Sequence, residues 1–141
     1  MIEKAAAWER SGQNGFLIQE FIPTDGRSLR VAVIGSRRLS YWRVPADSGG
    51  FGTALSKGAV IDAKSDPHLQ ATGIDTANRL CEKTGINLAG IDLIFSEKTE
   101  KPSPILLEIN YFFGRTGIGG SERFYQIFAD EVEKWLRQIQ K

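Results

Sequence analysis

The 141-residue sequence has a single cysteine, Cys81, and a single histidine, His68. One cysteine forbids an internal disulfide, and one imidazole excludes every zinc site that needs two, so zinc fingers and zincin-type helices are out. Charge of one sign is scarce as well. Eighteen Lys and Arg stand against 17 Asp and Glu, a net charge of +1 at pH 7, so no global field draws the chain to nucleic acid or to an anionic membrane. No stretch approaches the roughly 20 apolar residues that span a bilayer. The opening residues lack an apolar core of signal-peptide length, and Glu3 and Glu9 sit among Lys4 and Arg10. These absences set the expectation of a cytoplasmic protein with no nucleic-acid and no membrane partner. What is present, 41% hydrophobic and 25% charged residues, is the composition of an ordinary globular domain, and the length suits one domain over residues 1–141.

Helix-forming residues 2–11 run into Ser11-Gly12-Gln13-Asn14-Gly15, a turn signal. Phe16 to Ile22 is apolar, β-branched and aromatic, and reads as a strand stopped by Pro23-Thr24-Asp25-Gly26. Leu29–Ile34 and Leu39–Val44, separated by Gly35-Ser36-Arg37-Arg38, read as a β-hairpin. Residues 46–64 are glycine-rich with few large apolar side chains, and predict a structured loop with at most short pieces of strand. Asp66-Pro67 supplies an N-cap and a first-turn proline for a helix that places Gly73, Ala77, Leu80 and Cys81 on one face and stops near Thr84-Gly85. Leu88–Phe95 and Ile105–Asn110 predict two further strands. Phe124, Phe128, Val132, Leu136 and Ile139 recur at three and four residues, the stripe of a helix facing a core, with Ser121 as N-cap. Hairpins in place of repeated βαβ units give an α+β fold, a mainly antiparallel β-sheet flanked by helices.

The informative polar residues are those that interrupt apolar strands. Asp92 stands within Gly90-Ile91-Asp92-Leu93-Ile94-Phe95, where a lone buried carboxylate costs several kcal/mol or stays protonated, so it needs a partner. Glu108 and Asn110 share one face of their strand by alternation, and Asp92 joins them if the two strands pair. Two carboxylates and an amide oxygen suit a hard divalent cation such as magnesium; an exposed sheet face with unremarkable acids fits the same spacing. Arg30 and Arg43 in the hairpin, with Lys57 in the glycine-rich loop, balance a phosphate chain on that reading and form a solvated strand face on the other. Arg37 and Arg38 are placed in the turn as surface charges. The glycine-rich Asn110 to Ser121 segment lacks the Gly-Lys-Ser/Thr ending of a P-loop and predicts an aromatic-anchored turn, with Arg115 within reach of a substrate bound near Asn110. Cys81 reads as a small buried hydrophobe, His68 as exposed, and Trp8, Trp42 and Trp135 as packing residues.

From about Gly15 to Gly120 the chain resembles the C-terminal half of an ATP-grasp domain, in the branch of ribosomal-protein glutamate ligases and related carboxylate-amine ligases. Gln19-Glu20-Phe21-Ile22 resembles the hinge strand that holds adenine through its backbone. Gly26-Arg27-Ser28-Leu29-Arg30 resembles the Gly-x-Asp-x-Arg strand that follows, and Arg43 takes the place of a basic residue at the end of the next one. Gly90-Ile91-Asp92 followed by Leu107-Glu108-Ile109-Asn110 resembles the magnesium-binding signature. The resemblance implies ATP, with Mg2+ or Mn2+ held by Asp92, Glu108 and Asn110. Nucleotide contacts fall on Gln19, Glu20, Phe21, Ile22, Ser28, Arg30 and Lys57, and catalytic roles on Arg43 and Arg115. The implied chemistry passes the terminal phosphate to a carboxylate and lets an amine attack the acyl phosphate, on small-molecule or peptide substrates.

The sequence departs from the family pattern at four points. Ser28 stands where relatives have an aspartate, and the Phe51 to Gly58 loop lacks the usual arginine and asparagine. Tyr111-Phe112-Phe113-Gly114 replaces the small residues and Pro-Gly after the signature, so the substrate side differs. Only about fifteen residues precede the hinge strand, which implies a separate N-terminal lobe and little or no activity alone. A homo-oligomer stays open. Two other readings compete: a degenerate module that binds a protein partner, and a metal-dependent nuclease, which Asn110 disfavours by standing where a Glu-x-Lys lysine belongs.

Overall fold

The computed structural model describes residues 18–46, 53, 58–96 and 102–140. Strands β1 (Ser28–Ile34), β2 (Arg37–Val44) and β3 (Val60–Asp62) precede helix α1 (Pro67–Thr84), which is followed by β4 (Leu88–Phe95), β5 (Pro104–Asn110), a 3-10 turn (Thr116–Ile118) and helix α2 (Gly120–Ile139). The strands form one sheet in the order β3-β2-β1-β4-β5 with every neighbouring pair antiparallel. This is the α+β architecture expected from the hairpins.

Central β1 is buried along its whole length. Its Leu29, Val31 and Val33 side chains, with Trp42, Ala89, Ile91 and Leu93, face Ala77 and Cys81 of α1 in one core. Gly73 permits that helix to lie so close, because a Cβ there would run into the Leu29 side chain. Ala32, Ile34 and Tyr41 form a second core with Ile118 and Phe124 on the opposite face. That opposite face is therefore divided. Its Ile34 end is covered by the 3-10 turn and the start of α2, while at the other end Ser28, Arg30 and Asp92 are buried polar residues.

Several sequence expectations change. Ile18–Ile22 lie outside any strand, with Ile18 and Phe21 80% and 72% exposed. An apolar extended segment becomes a strand only beside a free sheet edge, and these residues have no ladder partner among the described residues. The expected helix over 2–11, including Trp8, lies outside the described residues, as do 47–52 and 54–57 of the glycine-rich loop. The hairpin turn is Gly35-Ser36 alone, since Arg37 and Arg38 already pair with Ile34 and Val33; Gly35 has φ +57°, open to glycine without strain. Asp66 occupies the N-cap of α1 without a side-chain cap bond, because its carboxylate binds Arg27 at 2.8 Å. Gly119, not Ser121, caps α2. Of the α2 stripe only Phe124 is buried. Phe128, Val132, Leu136 and Ile139 are 38–59% exposed, and Trp135 is exposed beside them.

Candidate functional site

Strand register builds the site. Ser28 lies opposite Arg43, Arg30 opposite Tyr41 on one side and Asp92 on the other, and Asp92 opposite Glu108. Opposed residues in a ladder send their side chains to the same face, so residues from four strands meet at the polar end of the sheet. Asp92, 1% exposed, is the centre. Its Oδ1 accepts from Arg30 Nε, and its Oδ2 from Arg30 Nη2 at 2.8 Å, Arg43 Nη2 at 2.7 Å and Asn110 Nδ2 at 3.3 Å. Burial alone would lower the Arg30 pKa, but the hydrogen bonds and charge of Asp92 outweigh it and the net shift is upward. The bidentate fork between the two side chains offsets the cost of desolvating them.

Arg43 also donates from Nε to Ser28 Oγ at 3.2 Å, and Ser28 Oγ lies 2.6 Å from Thr53 Oγ1. Glu108 is exposed at the rim, close enough for its charge to act on Arg30. Tyr41 lies under the arginines, its phenol pushed up by burial. Gly90 completes the arrangement: a Cβ there would meet Arg30 Nη1 at 2.5 Å and Phe113 Cβ at 2.9 Å. Phe113 in turn packs edge-on against Phe124, with ring centroids 6.1 Å apart.

Residues 3–131 match the RimK-like ATP-grasp domain. The chain belongs to that family. A "Probable alpha-L-glutamate ligase" of Xanthomonas campestris pv. campestris (strain B100) is 35% identical over 107 residues, 74% of this chain and 34% of that protein. A protein of the same name from Coxiella burnetii (strain Dugway 5J108-111) is 35% identical over 104 residues, 72% of this chain and 32% of its own. The chain thus spans about a third of the length of the curated relatives it matches.

On this RimK-like ATP-grasp domain, Ser28, Arg30, Arg43, Asp92 and Asn110 form one bonded group, with Glu108 beside it. Gln19, Glu20, Phe21 and Ile22 are not in the sheet, and Lys57 lies outside the described residues. Arg115 belongs to a separate cluster, bonded to Tyr125 and stacked on Phe124. The sequence reading missed Tyr41 and Thr53; it placed Gly90 in the metal-binding signature and Phe113 in an aromatic-anchored turn without giving either a contact in the site. Register sets Gly90 opposite Asn110, whereas Thr53 comes from a loop and had no such signal.

Family membership implies ATP use. The oxygen donors suit a divalent cation: Glu108 and Asn110 stand two residues apart on one strand face, Glu108 opposite Asp92. The set fits, with one condition. Asp92 ligates only by giving up a guanidinium, and Arg30 and Arg43 are themselves groups that bind phosphate oxygens.

Proposed function

We propose that the chain is the ATP- and magnesium-binding half of an ATP-dependent carboxylate-amine ligase that works through an acyl phosphate. One observation carries the reading: a buried arginine, Arg30, and a half-buried one, Arg43, are interleaved with Asp92, Glu108 and Asn110 on one sheet face, which is what a metal-bridged phosphate chain requires. A substrate carboxylate oxygen attacks the terminal phosphorus and ADP leaves; an amine then attacks the acyl carbon, inorganic phosphate leaves, and the amine proton passes to solvent.

In this scheme Arg43 and Arg30 hold phosphoryl oxygens and Asp92, Glu108 and Asn110 hold the metal. Backbone groups of Gln19, Glu20, Phe21 and Ile22 bind the adenine, with Ser28 and Lys57 as further nucleotide contacts, and Arg115 acts on the substrate side. Magnesium, or manganese in its place, supplies charge neutralisation during transfer. The substrates are small-molecule or peptide carboxylates and amines, and a separate N-terminal lobe closes the site, in a cytoplasmic setting. Among the described residues no helix is long and apolar enough to cross a membrane.

Titration calorimetry of the chain with magnesium-ATP tests this. The expected result is binding weaker than micromolar that Glu108→Ala abolishes, with a matching loss of the ligand-induced rise in unfolding temperature. The full commitment of Asp92 to arginines favours a second reading, a charge-locked module without catalysis. Absence of any magnesium-ATP binding at millimolar concentration would establish that alternative.

A further inference from the structure

We propose that the cleft beside Arg115 recognises a carboxylate carried next to an aromatic or large aliphatic side chain, as at a peptide C-terminus ending in phenylalanine or leucine. It rests on the ligase reading only for the role of the ligand, as substrate; the binding itself needs no nucleotide.

The cleft is open, about 320 Å³, and is lined by Phe112, Phe113, Gly114, Arg115, Thr116 and Ser121, among others. Arg115 is held in place on several sides. Its guanidinium carbon lies 4.4 Å from the Phe124 ring centroid and 4.7 Å from that of Tyr125, and Nη1 donates to Tyr125 Oη at 3.0 Å and to Ser121 Oγ at 3.5 Å. Among the described residues no carboxylate pairs with it, and its Nε and Nη2 have no acceptor.

A guanidinium fixed on two ring faces has already lost most of its rotamer freedom, so a bidentate partner gains the charge-assisted bonds at little further ordering cost. Among the described residues Arg115 is the one cation lining the cleft, which matches a monoanionic carboxylate better than a phosphate dianion. The ligand's second feature follows from Phe112, which is 95% exposed at the mouth beside Phe113. Two phenyl groups on a small cleft select an apolar group. Phe113 also abuts Gly90 and so connects the cleft to Arg30 at the edge of the Asp92 group. The larger groove along α2, about 700 Å³ and lined by Asp130, Glu133, Lys134 and Arg137, has no such character. There Arg137 is already paired with Glu133 at 2.6 Å.

The test is a nitrogen-15 NMR titration of the 141-residue chain, without nucleotide, using N-acetylphenylalanine, its carboxamide and N-acetylglycine. The acid is expected to shift the amides of Gly114, Arg115, Thr116 and Ser121 and to bind about tenfold more tightly than either control. Arg115→Gln should remove the preference for acid over amide. Phe112→Ala, a change at a side chain that packs little of the fold, should remove the preference for phenylalanine over glycine. Equal affinity for acid and amide, or an unchanged preference in Arg115→Gln, would overturn the proposal. A parallel magnesium-ATP titration followed at Glu108 and Asn110 reports on the ligase reading separately, so the loss of one result leaves the other interpretable.

Discussion

Asp92 on β4 bonds to side chains from three other strands, Arg30, Arg43 and Asn110. It satisfies two guanidinium groups in a place where Arg30 is 6% exposed and water cannot replace the lost partner. Breaking a buried pair by removing one ion costs about 3–5 kcal/mol, far more than an exposed pair is worth. Asp92→Ala is therefore expected to lower unfolding stability in urea by about that amount. Glu133→Gln, which breaks the exposed Arg137–Glu133 pair on α2, should cost no more than about 0.5 kcal/mol. Equal effects of the two substitutions would mean that the Asp92 group is hydrated in solution. The sequence already required a partner for Asp92, because a carboxylate among Ile91, Leu93 and Phe95 has no other way to stay charged. It could not say which partner. Arg30 is 62 residues away in sequence, and only the β1–β4 register places it opposite.

Among the elements, α2 is where periodicity and packing part company. The stripe of Phe124, Phe128, Val132, Leu136 and Ile139 was legible, and the helix spans it. Yet the side that docks on the sheet is a neighbouring one. Phe124 and Ile127 reach the second core, while Glu131 accepts from the Ser36 backbone N–H and so fastens the helix to the hairpin turn. A moment calculated from sequence gives the direction of the apolar face, but contact depends on where the connecting turn aims the helix. Here Gly117 sets that aim, since a Cβ would collide with the Tyr41 ring. Phe124→Ala should accordingly cost about 3–5 kcal/mol, whereas Val132→Lys and Leu136→Lys should stay within about 0.5 kcal/mol, all read from urea unfolding. A loss of about 2 kcal/mol or more from Leu136→Lys would show that the stripe is covered in solution. The hairpin, α1 and β4–β5 were readable because turn residues bound each of them, and β1 and β4 are short apolar runs buried over most of their length. The segment around Phe21 was not, because its apolar alternation fits a strand and no described edge receives it.

For the molecule as a whole, the decisive quantity is how much of its relatives' length the chain spans. It covers about a third of its relatives, and within it the polar end of the sheet lies open at Glu108, with Phe21 and Phe112 exposed nearby in sequence to the expected nucleotide and substrate contacts. Phosphate binding depends on excluding water from charged groups, because the same arginine contact is worth several times more at low effective dielectric than at a wet surface. Supplying by fusion the part of the Xanthomonas relative that lies outside the matched 107 residues should therefore tighten magnesium-ATP binding by at least about tenfold, or 1.4 kcal/mol. Glu108→Ala in the fusion should abolish the gain, which ties it to this sheet face and not to a site brought by the added segment. Calorimetry on the fusion, the variant and the isolated chain makes the comparison. If the fusion folds and binds no more tightly than the isolated chain, the added segment does not close over this face.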